Sequence, residues 1–267
     1  MITGTFGPEG SFSEKAAKQW SKGELRFYDD IPDTVEALLN NEVDYCVVPV
    51  ENSLEGSVTI TLDLLMEHQL KIVGEEIVQV KHLLLSKARR EDIKIIMSHP
   101  QALSQCRRFI KTNFRNVEVR SALSTSHAAR LASESKEIAA IASREAADKY
   151  GLDIIAENIQ DRNENFTRFI VIGKKTPPST GNDKTSIIVY LEKNRPGALY
   201  EILGEFSSNG IDLTKIESRP TKKVLGDYLF YIDIRGHIHD RKIKEALEKI
   251  KNRAGMLKII GSYPAAI

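Results

Sequence analysis

The stretch Asn-Phe-Thr-Arg-Phe at residues 165–169 carries a hydroxyl donor, a cation and two aromatic rings directly before the apolar run Ile-Val-Ile-Gly at residues 170–173. Thr167 can donate a hydrogen bond, and Arg168 can hold a carboxylate through charge-assisted hydrogen bonds. A β-branched strand anchored in a core would keep these groups rigid. The stretch therefore predicts a site for a small anionic ligand; its alternative interpretation is a turn with a solvated charge.

Three further polar stretches follow apolar runs that read as strands. They are Gly-Pro-Glu-Gly-Ser-Phe-Ser at residues 7–13, Pro-Val-Glu-Asn-Ser-Leu-Glu-Gly-Ser at residues 49–57 and Ser-His-Pro-Gln at residues 98–101. Ligands of open α/β sheets bind outside the carboxyl ends of the strands. We therefore expect these stretches to meet at one cleft, and the glycines of the first one allow a close backbone approach to an anion.

The elements that must position these groups repeat one step, which is a strand, a polar turn and a helix. Ser124, Thr125 and Ser126 supply three hydroxyls at one such helix start, and the long apolar pattern of residues 71–85 suggests strands that cross between two lobes. The repetition predicts a two-lobed α/β domain with its ligand in the cleft.

A second domain follows a break in composition at residues 176–183, Thr-Pro-Pro-Ser-Thr-Gly-Asn-Asp, which continues neither a helix nor a central strand. We predict a first domain at residues 1–175, a linker at 176–184 and a second domain at 185–267. The second domain reads as strand, helix, strand, strand, helix, strand. This βαββαβ order is the ferredoxin-like unit.

Composition narrows the class of protein. The 267 residues include 38 Lys plus Arg and 37 Asp plus Glu, so no overall field attracts nucleic acid or an anionic membrane. The N-terminal residues lack the apolar region of a secretory signal, and we expect a cytoplasmic protein. Cys46 and Cys106 match neither a disulfide framework nor a metal-binding spacing.

Together the four polar stretches resemble the prephenate dehydratase family, whose Thr-Arg-Phe signature stands here at residues 167–169. The C-terminal part resembles an ACT regulatory domain. Its two phenylalanine-binding segments correspond to Gly-Ala-Leu at residues 197–199 and Glu-Ser-Arg-Pro at residues 217–220. The resemblance covers nearly the whole chain.

The resemblance implies decarboxylation and dehydration of prephenate to phenylpyruvate, without cofactor or metal. It also implies a catalytic domain like the type 2 periplasmic-binding fold, inhibition by L-phenylalanine, and a homodimer through the ACT domains or a tetramer built from dimers. No nucleic acid or membrane partner is implied. The chain opens on the first catalytic strand, so we expect no chorismate mutase segment of the kind that some relatives carry.

Residue roles carry over from matching positions. The implied catalytic residues are Thr167, Asn52, Ser98 and Gln105. The expected substrate-binding residues are Arg168, Phe169, Glu51, Ser53, Ser124, Thr125 and Ser126, the last three from their position at a helix start. The implied phenylalanine-binding residues are Gly197, Ala198, Leu199, Glu217, Ser218, Arg219 and Pro220. Thr167 would stand beside the departing hydroxyl, either as a directed donor or as part of a proton relay.

Two alternatives stay open at this point. Arogenate dehydratase differs only in an amino group on the substrate side chain. A non-catalytic amino-acid sensor would bind ligands in both domains without turnover, and the intact Thr-Arg-Phe stretch with Asn52 and Gln105 counts against it.

Overall fold

The structure is a computed structural model, and it describes residues 1–191, 195–222 and 227–266. The strands are β1 (Ile2–Phe6), β2 (Glu24–Tyr28), β3 (Tyr45–Asn52), β4 (Gly56–Ser57), β5 (Lys71–Gln79), β6 (Leu83–Ser86), β7 (Ile95–Ser98), β8 (Glu118–Ser121), β9 (Ile138–Ala142), β10 (Asp153–Ala156), β11 (Phe166–Gly173), β12 (Asp183–Tyr190), β13 (Leu213–Pro220), β14 (Tyr228–Arg235) and β15 (Met256–Pro264). The helices are α1 (Phe12–Trp20), α2 (Ile31–Leu39), α3 (Thr59–Glu67), α4 (Pro100–Gln105), α5 (Arg107–Asn113), α6 (Thr125–Ser133), α7 (Arg144–Tyr150), α8 (Ala198–Ser208) and α9 (Arg241–Arg253).

Two compact units make up the chain. The first unit comprises Met1–Thr61 and Glu76–Phe169, and the second comprises Leu62–Glu75 and Ile170–Ile267. Three elements, α3, β5 and β11, therefore contribute residues to both units. Each unit has hydrophobic core residues of its own.

The first unit has two lobes. In the first lobe, β1 pairs in parallel with β2 and β3, and β11 lies beside β3. Helices α1 and α2 pack on this sheet through Ala16, Ala17, Val35 and Leu38, which are all buried. A hairpin joins β3 to the short β4 and places Asn52 opposite Gly56.

The second lobe is built on the sheet β10-β6-β9-β7-β8, in which β9 and β8 run parallel to β7. Successive side chains of β6 point to opposite faces, as the period of a strand requires. Leu84 joins a core with α4 and α5, whereas Leu83 and Leu85 join a core with α6 and α7. Both faces of this sheet are thus covered by helices.

The second unit contains the antiparallel order β13-β14-β12-β15, with α8 and α9 covering one core. Phe206 of α8 and Ile250 of α9 are fully buried in that core. Gly261 of β15 pairs with Ile72, and a Cβ at Gly261 would lie 2.5 Å from the Ile72 carbonyl oxygen. Only glycine permits this approach.

The predicted α/β class is confirmed, because the first unit is a two-lobed α/β arrangement and the second contains the ferredoxin-like order βαββαβ. Strand β3 continues into the polar stretch expected to follow it, from Pro49 to Asn52, because β4 supplies hydrogen-bond partners. Strand β13 extends to Pro220, which pairs with Tyr228. None of the described helices is long and apolar enough to cross a membrane.

Candidate active site

A cavity of about 390 Å³ lies between the two lobes of the first unit. It is lined by Phe6, Gly7, Pro8, Ser11, Phe12, Ser13, Ile31, Pro49, Asn52, Val58, Val80, His82, His99, Gln101, Ala102, Gln105, Leu123, Ser124, Thr125, Asn165, Thr167 and Phe169. All four polar stretches singled out in the sequence reach it. We refer to it as the interlobe cavity.

The alternation of β11 decides which residues of the Thr-Arg-Phe signature face the interlobe cavity. Thr167 and Phe169 line it, whereas Phe166 and Arg168 do not. Residues two apart on a strand share a face. The hydroxyl and the second ring are therefore offered to a ligand, and the guanidinium is directed to the other side of the strand.

Asn52 fixes the direction of the hydrogen bonds around Thr167. Its Oδ1 accepts from the backbone N–H groups of Leu54 and Glu55, at 3.0 and 3.2 Å. The amide nitrogen must therefore face the other way, and it donates to Asn165 Oδ1 at 2.8 Å and to Thr167 Oγ1 at 2.9 Å. Since the Thr167 oxygen accepts this bond, its own hydrogen is left for an acceptor in the cavity.

The same chain of amides continues into the second lobe. Asn165 Nδ2 donates to Gln105 Oε1 at 2.9 Å, and the ring Nε2 of His82 lies 2.9 Å from the same oxygen. Gln105 Nε2 in turn donates to Glu55 Oε1 at 3.2 Å. Burial lowers the pKa of His82, and the hydrogen bond to Gln105 opposes that shift only in part. The ring is therefore neutral at neutral pH.

Neutral groups dominate the electrostatics of the cavity. In the described part of the chain, its lining contains no Lys, Arg, Asp or Glu. Two nine-residue helices begin at its wall, α1 after its N-cap Ser11 and α6 after its N-cap Ser124. Helix N-termini carry partial positive charge and attract anions. The cavity thus favours an anion through dipoles and neutral donors.

Ser98 and Ser126 were predicted at the site but lie outside the lining. Ser98 is fully buried and donates to the Ile141 carbonyl oxygen at 2.6 Å, which links β7 to β9. Ser126 donates to the Glu9 carbonyl oxygen at 2.5 Å, and so ties the glycine-rich turn of the first lobe to α6 of the second. Their hydroxyls hold the walls of the cavity.

The remaining predicted residues of the first unit contact the signature stretch or its neighbours without lining the cavity. Ser53 Oγ donates to the Glu164 carbonyl oxygen and accepts from the Phe166 N–H, both at 3.0 Å. Arg168 lies 3.9 Å from Glu51 in an ion pair, with 13% of its side chain exposed. None of these side chains lines the cavity.

Sequence reasoning did not name His82 or Asn165 among the site residues. Asn165 belongs to the signature stretch and directly precedes β11. It stands two residues before Thr167, and the strand period places both on the same side. His82 stands between two predicted strands that cross between lobes, where an imidazole in an apolar run is a detectable signal. Its hydrogen bond to Gln105 joins residues far apart in sequence and needs the fold.

In the second unit, the two predicted effector segments occupy different elements. Gly197 is the N-cap of α8 with φ +85°, and an added Cβ would meet no atom within 4 Å. Arg219 on β13 donates to Asp63 at 2.8 Å, and Lys222 contacts the other Asp63 oxygen at 2.6 Å. Burial raises the pKa of Asp63, but hydrogen bonds from Lys222 and Arg219 outweigh it, so the net pKa is lowered.

Comparison with known protein families identifies the family of this chain. A family model described as prephenate dehydratase matches residues 3–177, and a model described as ACT domain matches residues 185–252. The chain belongs to the prephenate dehydratase family. The ACT match runs from β12 almost to the end of α9 and stops before β15.

Named relatives agree over most of the chain. A prephenate dehydratase of Methanocaldococcus jannaschii is 41% identical, with 96% of each chain covered. The crystal structure of an Arthrobacter aurescens prephenate dehydratase in complex with L-Phe is 34% identical, covers 99% of this chain and 90% of that one, and has a TM-score of 0.89. A protein described as a novel type of quorum quenching acylase is 29% identical, covers 100% of this chain and 98% of that one, and has a TM-score of 0.91.

Proposed function

We propose that this enzyme converts prephenate to phenylpyruvate without a cofactor and is feedback-inhibited by L-phenylalanine. In this reaction the bond between the ring and its carboxylate breaks, and the released electron pair completes the aromatic ring. Hydroxide leaves from the opposite ring carbon and takes up a proton to form water. The substrate already holds the driving force, so the protein has to orient it and assist the departing hydroxyl.

The observation that carries this proposal is the direction of the Thr167 hydrogen bonds. Asn52 donates to the Thr167 oxygen, and Asn52 is itself oriented by two backbone N–H groups. The hydroxyl hydrogen of Thr167 is therefore available to the departing oxygen of the substrate. A preorganised donor needs no reorganisation when charge develops on that oxygen.

The neutral lining suits a decarboxylation. A cation beside the departing carboxylate would stabilise the ground state more than the transition state and slow the step. The interlobe cavity instead offers the N-termini of α1 and α6, amides and hydroxyls. We expect the helix N-termini to bind the side-chain carboxylate, with Ser124 and Thr125 at that end.

The lining also bears on which substrate is used. Arogenate carries an ammonium group where prephenate carries a ketone, and a buried ammonium needs an acidic partner. In the described part of the chain, no carboxylate lines the interlobe cavity. This supports prephenate over arogenate.

Acyl transfer, suggested by the name of one similar structure, needs a nucleophile activated by a neighbouring base. Within the described residues, the ring of His82 bonds to Gln105 and that of His99 accepts from the Gln101 N–H. Neither ring is hydrogen-bonded to a hydroxyl of the cavity. The geometry therefore does not favour an acylase.

The proposed residue roles follow the contacts. Thr167, Asn52 and Gln105 act at the substrate, and Phe169 forms part of the wall. Ser98, Ser126, Ser53, Glu51 and Arg168 are proposed to act indirectly, because their contacts hold the strands, turns and helices that form the cavity.

Regulation is proposed for the second unit. We propose that L-phenylalanine binds between Gly197, Ala198 and Leu199 and the segment Glu217, Ser218, Arg219 and Pro220, across a homodimer of ACT domains; a tetramer built from such dimers remains the larger alternative. In support, β13 is an edge strand whose Ile216 is 46% exposed, and Tyr200 of α8 is 78% exposed.

We also propose the domain bounds and the cellular location. The family-model matches at residues 3–177 and 185–252 support a catalytic domain at 1–175, a linker at 176–184 and a regulatory domain at 185–267, although β12 begins at Asp183, within the last two residues of that linker. A cytoplasmic location is supported by Cys46 and Cys106, which are both buried and free.

The test is to incubate the purified protein with prephenate and to follow phenylpyruvate by its absorbance in alkali. We expect product without added metal or cofactor, and less product when L-phenylalanine is present. A parallel incubation with an N-acyl homoserine lactone probes the acylase alternative. The absence of phenylpyruvate would contradict the proposal.

A further inference from the structure

His82 lies between β5 and β6, at the wall of the interlobe cavity, with only 3% of its surface exposed. Its Nδ1 is buried and has no hydrogen-bond partner in the described structure. Buried polar atoms without partners are rare and cost roughly 1–3 kcal/mol each. An aliphatic residue would avoid this cost, so the other ring nitrogen must matter.

The direction of the amide chain determines which ring nitrogen carries the hydrogen. The backbone N–H groups that orient Asn52 also orient Asn165, because Asn52 donates to the Asn165 oxygen. Asn165 must then use its NH₂ group toward Gln105, which presents Oε1 to it. The same Oε1 faces His82 Nε2 at 2.9 Å. Two acceptors would repel each other at this distance, so Nε2 carries the hydrogen.

Neighbouring groups hold the imidazole in this orientation. The backbone N–H of His82 donates to Gln160 Oε1 at 3.0 Å, and the backbone oxygen accepts from the Ile159 N–H at 3.1 Å. The ring meets the Phe12 ring edge to face, with centroids 6.0 Å apart. Rotating the ring by 180° about its Cβ–Cγ bond would exchange Nε2 with Cε1 and would lose the hydrogen bond to the Gln105 oxygen.

We propose that His82 is a positioning residue whose neutral, Nε2-protonated ring fixes the amide of Gln105 for the reaction. With its oxygen held by His82 and Asn165, Gln105, which lines the cavity, directs its NH₂ group to the Glu55 carboxylate. This inference rests on the proposed function, since it assigns Gln105 a part in prephenate turnover. His82 itself acts through Gln105.

Substitutions at His82 separate this role from simple packing. The amide nitrogen of Gln is as many bonds from Cα as His Nε2, whereas that of Asn is as many bonds away as His Nδ1. We expect His82→Asn to lower kcat by roughly tenfold, since small displacements of a positioned group are costly, and His82→Gln to restore kcat to within about threefold of wild type. Equal losses in the two variants would overturn the proposal.

A double-mutant cycle tests whether His82 acts through Gln105. In a Gln105→Leu background, His82→Asn should change kcat by less than about twofold, because the partner it positions is gone. If Gln105→Leu is too slow to assay, calorimetric binding of phenylpyruvate replaces kcat with the same expected pattern. A loss of equal size in both backgrounds would contradict the coupling.

The matched control is His127→Asn. His127 also has a buried, unpartnered Nδ1, but it lies outside the described lining of the cavity. We expect this variant to keep kcat within about twofold of wild type, as substitutions away from a site usually do. A tenfold loss there would show that any buried imidazole matters and would overturn the specific role of His82.

A measurement without turnover distinguishes failure of this inference from failure of the proposed function. In protein labelled with ¹⁵N-histidine, we expect a neutral ring with its proton on Nε2 at pH 7, in a signal that disappears in His82→Gln. A proton on Nδ1 would overturn the inference even if prephenate is converted. The expected tautomer with no prephenate turnover in the wild type would instead overturn the proposed function and, with it, the role of His82 in that reaction.

Discussion

The interlobe cavity and the cluster of Asp63, Arg219 and Lys222 hold polar groups in opposite ways. The cavity uses neutral amides, hydroxyls and helix ends, whose directions are set by backbone N–H groups next to Asn52. The cluster in the second unit uses full charges 2.6–2.8 Å apart. A network of amides fixes the direction of each hydrogen bond. An ion pair fixes the positions of its two groups but tolerates rotation of those groups, and its strength depends on pH. The reaction needs a directed donor; a regulatory segment needs a contact that can be exchanged.

Removing the amide of Asn52 should have the largest effect on the cavity. Asn52→Leu leaves the N–H groups of Leu54 and Glu55 without their acceptor and Thr167 without its donor. We expect kcat to fall by roughly 100-fold or more, and the free energy of unfolding to fall by about 1–3 kcal/mol. Steady-state kinetics and urea titration measure the two effects. A variant with kcat near wild type would show that the amide network does not direct the chemistry.

Thr167 tests the donor itself. We expect Thr167→Ala to lower kcat by at least about tenfold, the low end of what a positioned proton donor contributes. Phenylalanine binding, measured by calorimetry, should be unchanged because the proposed effector site lies in the second unit. Thr167→Ser keeps the hydroxyl and serves as the control. Equal activity of Thr167→Ala and wild type would remove Thr167 from the mechanism.

Substitution of Asp63 tests the role of the charged cluster in the second unit. Asp63→Asn leaves the partly buried Arg219 without its anion, and we expect unfolding to require about 1–2 kcal/mol less at pH 7. The lowered pKa of Asp63 means that its stabilisation is present above the unfolded-state pKa and is lost as the pH falls through the folded-state value.

Urea titrations at several pH values check this expectation. The difference between wild type and Asp63→Asn should persist at pH 7 and pH 5 and shrink below about pH 4. Basal kcat should stay within about twofold of wild type. A difference that grew on acidification would contradict the assigned sign.

Gly197 should give the smallest effect on stability and a selective effect on regulation. Among the described residues an added methyl meets no atom within 4 Å, so we expect Gly197→Ala to act through the strained φ of +85°. We expect a cost of about 1 kcal/mol and, if binding bears that cost, inhibition by phenylalanine weaker by roughly fivefold. Initial rates across phenylalanine concentrations measure this. Unchanged inhibition would separate Gly197 from the effector site.

The sequence predicted what depends on local pattern. The βαββαβ order of the second domain was predicted correctly, and Ser124 caps α6 as its hydroxyl suggested. The side of the sheet that each strand residue faces was harder to predict from the sequence. Arg168 was expected beside the ligand, but the period of β11 directs Thr167 and Phe169 to the cavity and Arg168 toward Glu51.

Contacts between distant segments could not be predicted from local pattern. Ser126 meets Glu9, and His82 meets Gln105, only because the two lobes close around one cavity. The family resemblance pointed to Gln105 and Asn52, whose side chains are neutral hydrogen-bonding groups. The sequence did not show that the backbone N–H groups of Leu54 and Glu55 orient Asn52 and, through it, the hydrogen bonds from Asn165 to Gln105 and from Gln105 to Glu55.

The most direct test of the central claim is the ratio of kcat/KM for prephenate to that for arogenate, measured with the same wild-type preparation. A cavity of neutral donors, with no carboxylate in its described lining, predicts a clear preference for prephenate, by about tenfold or more if one unpaired buried ammonium is the difference. A higher kcat/KM for arogenate would contradict the account.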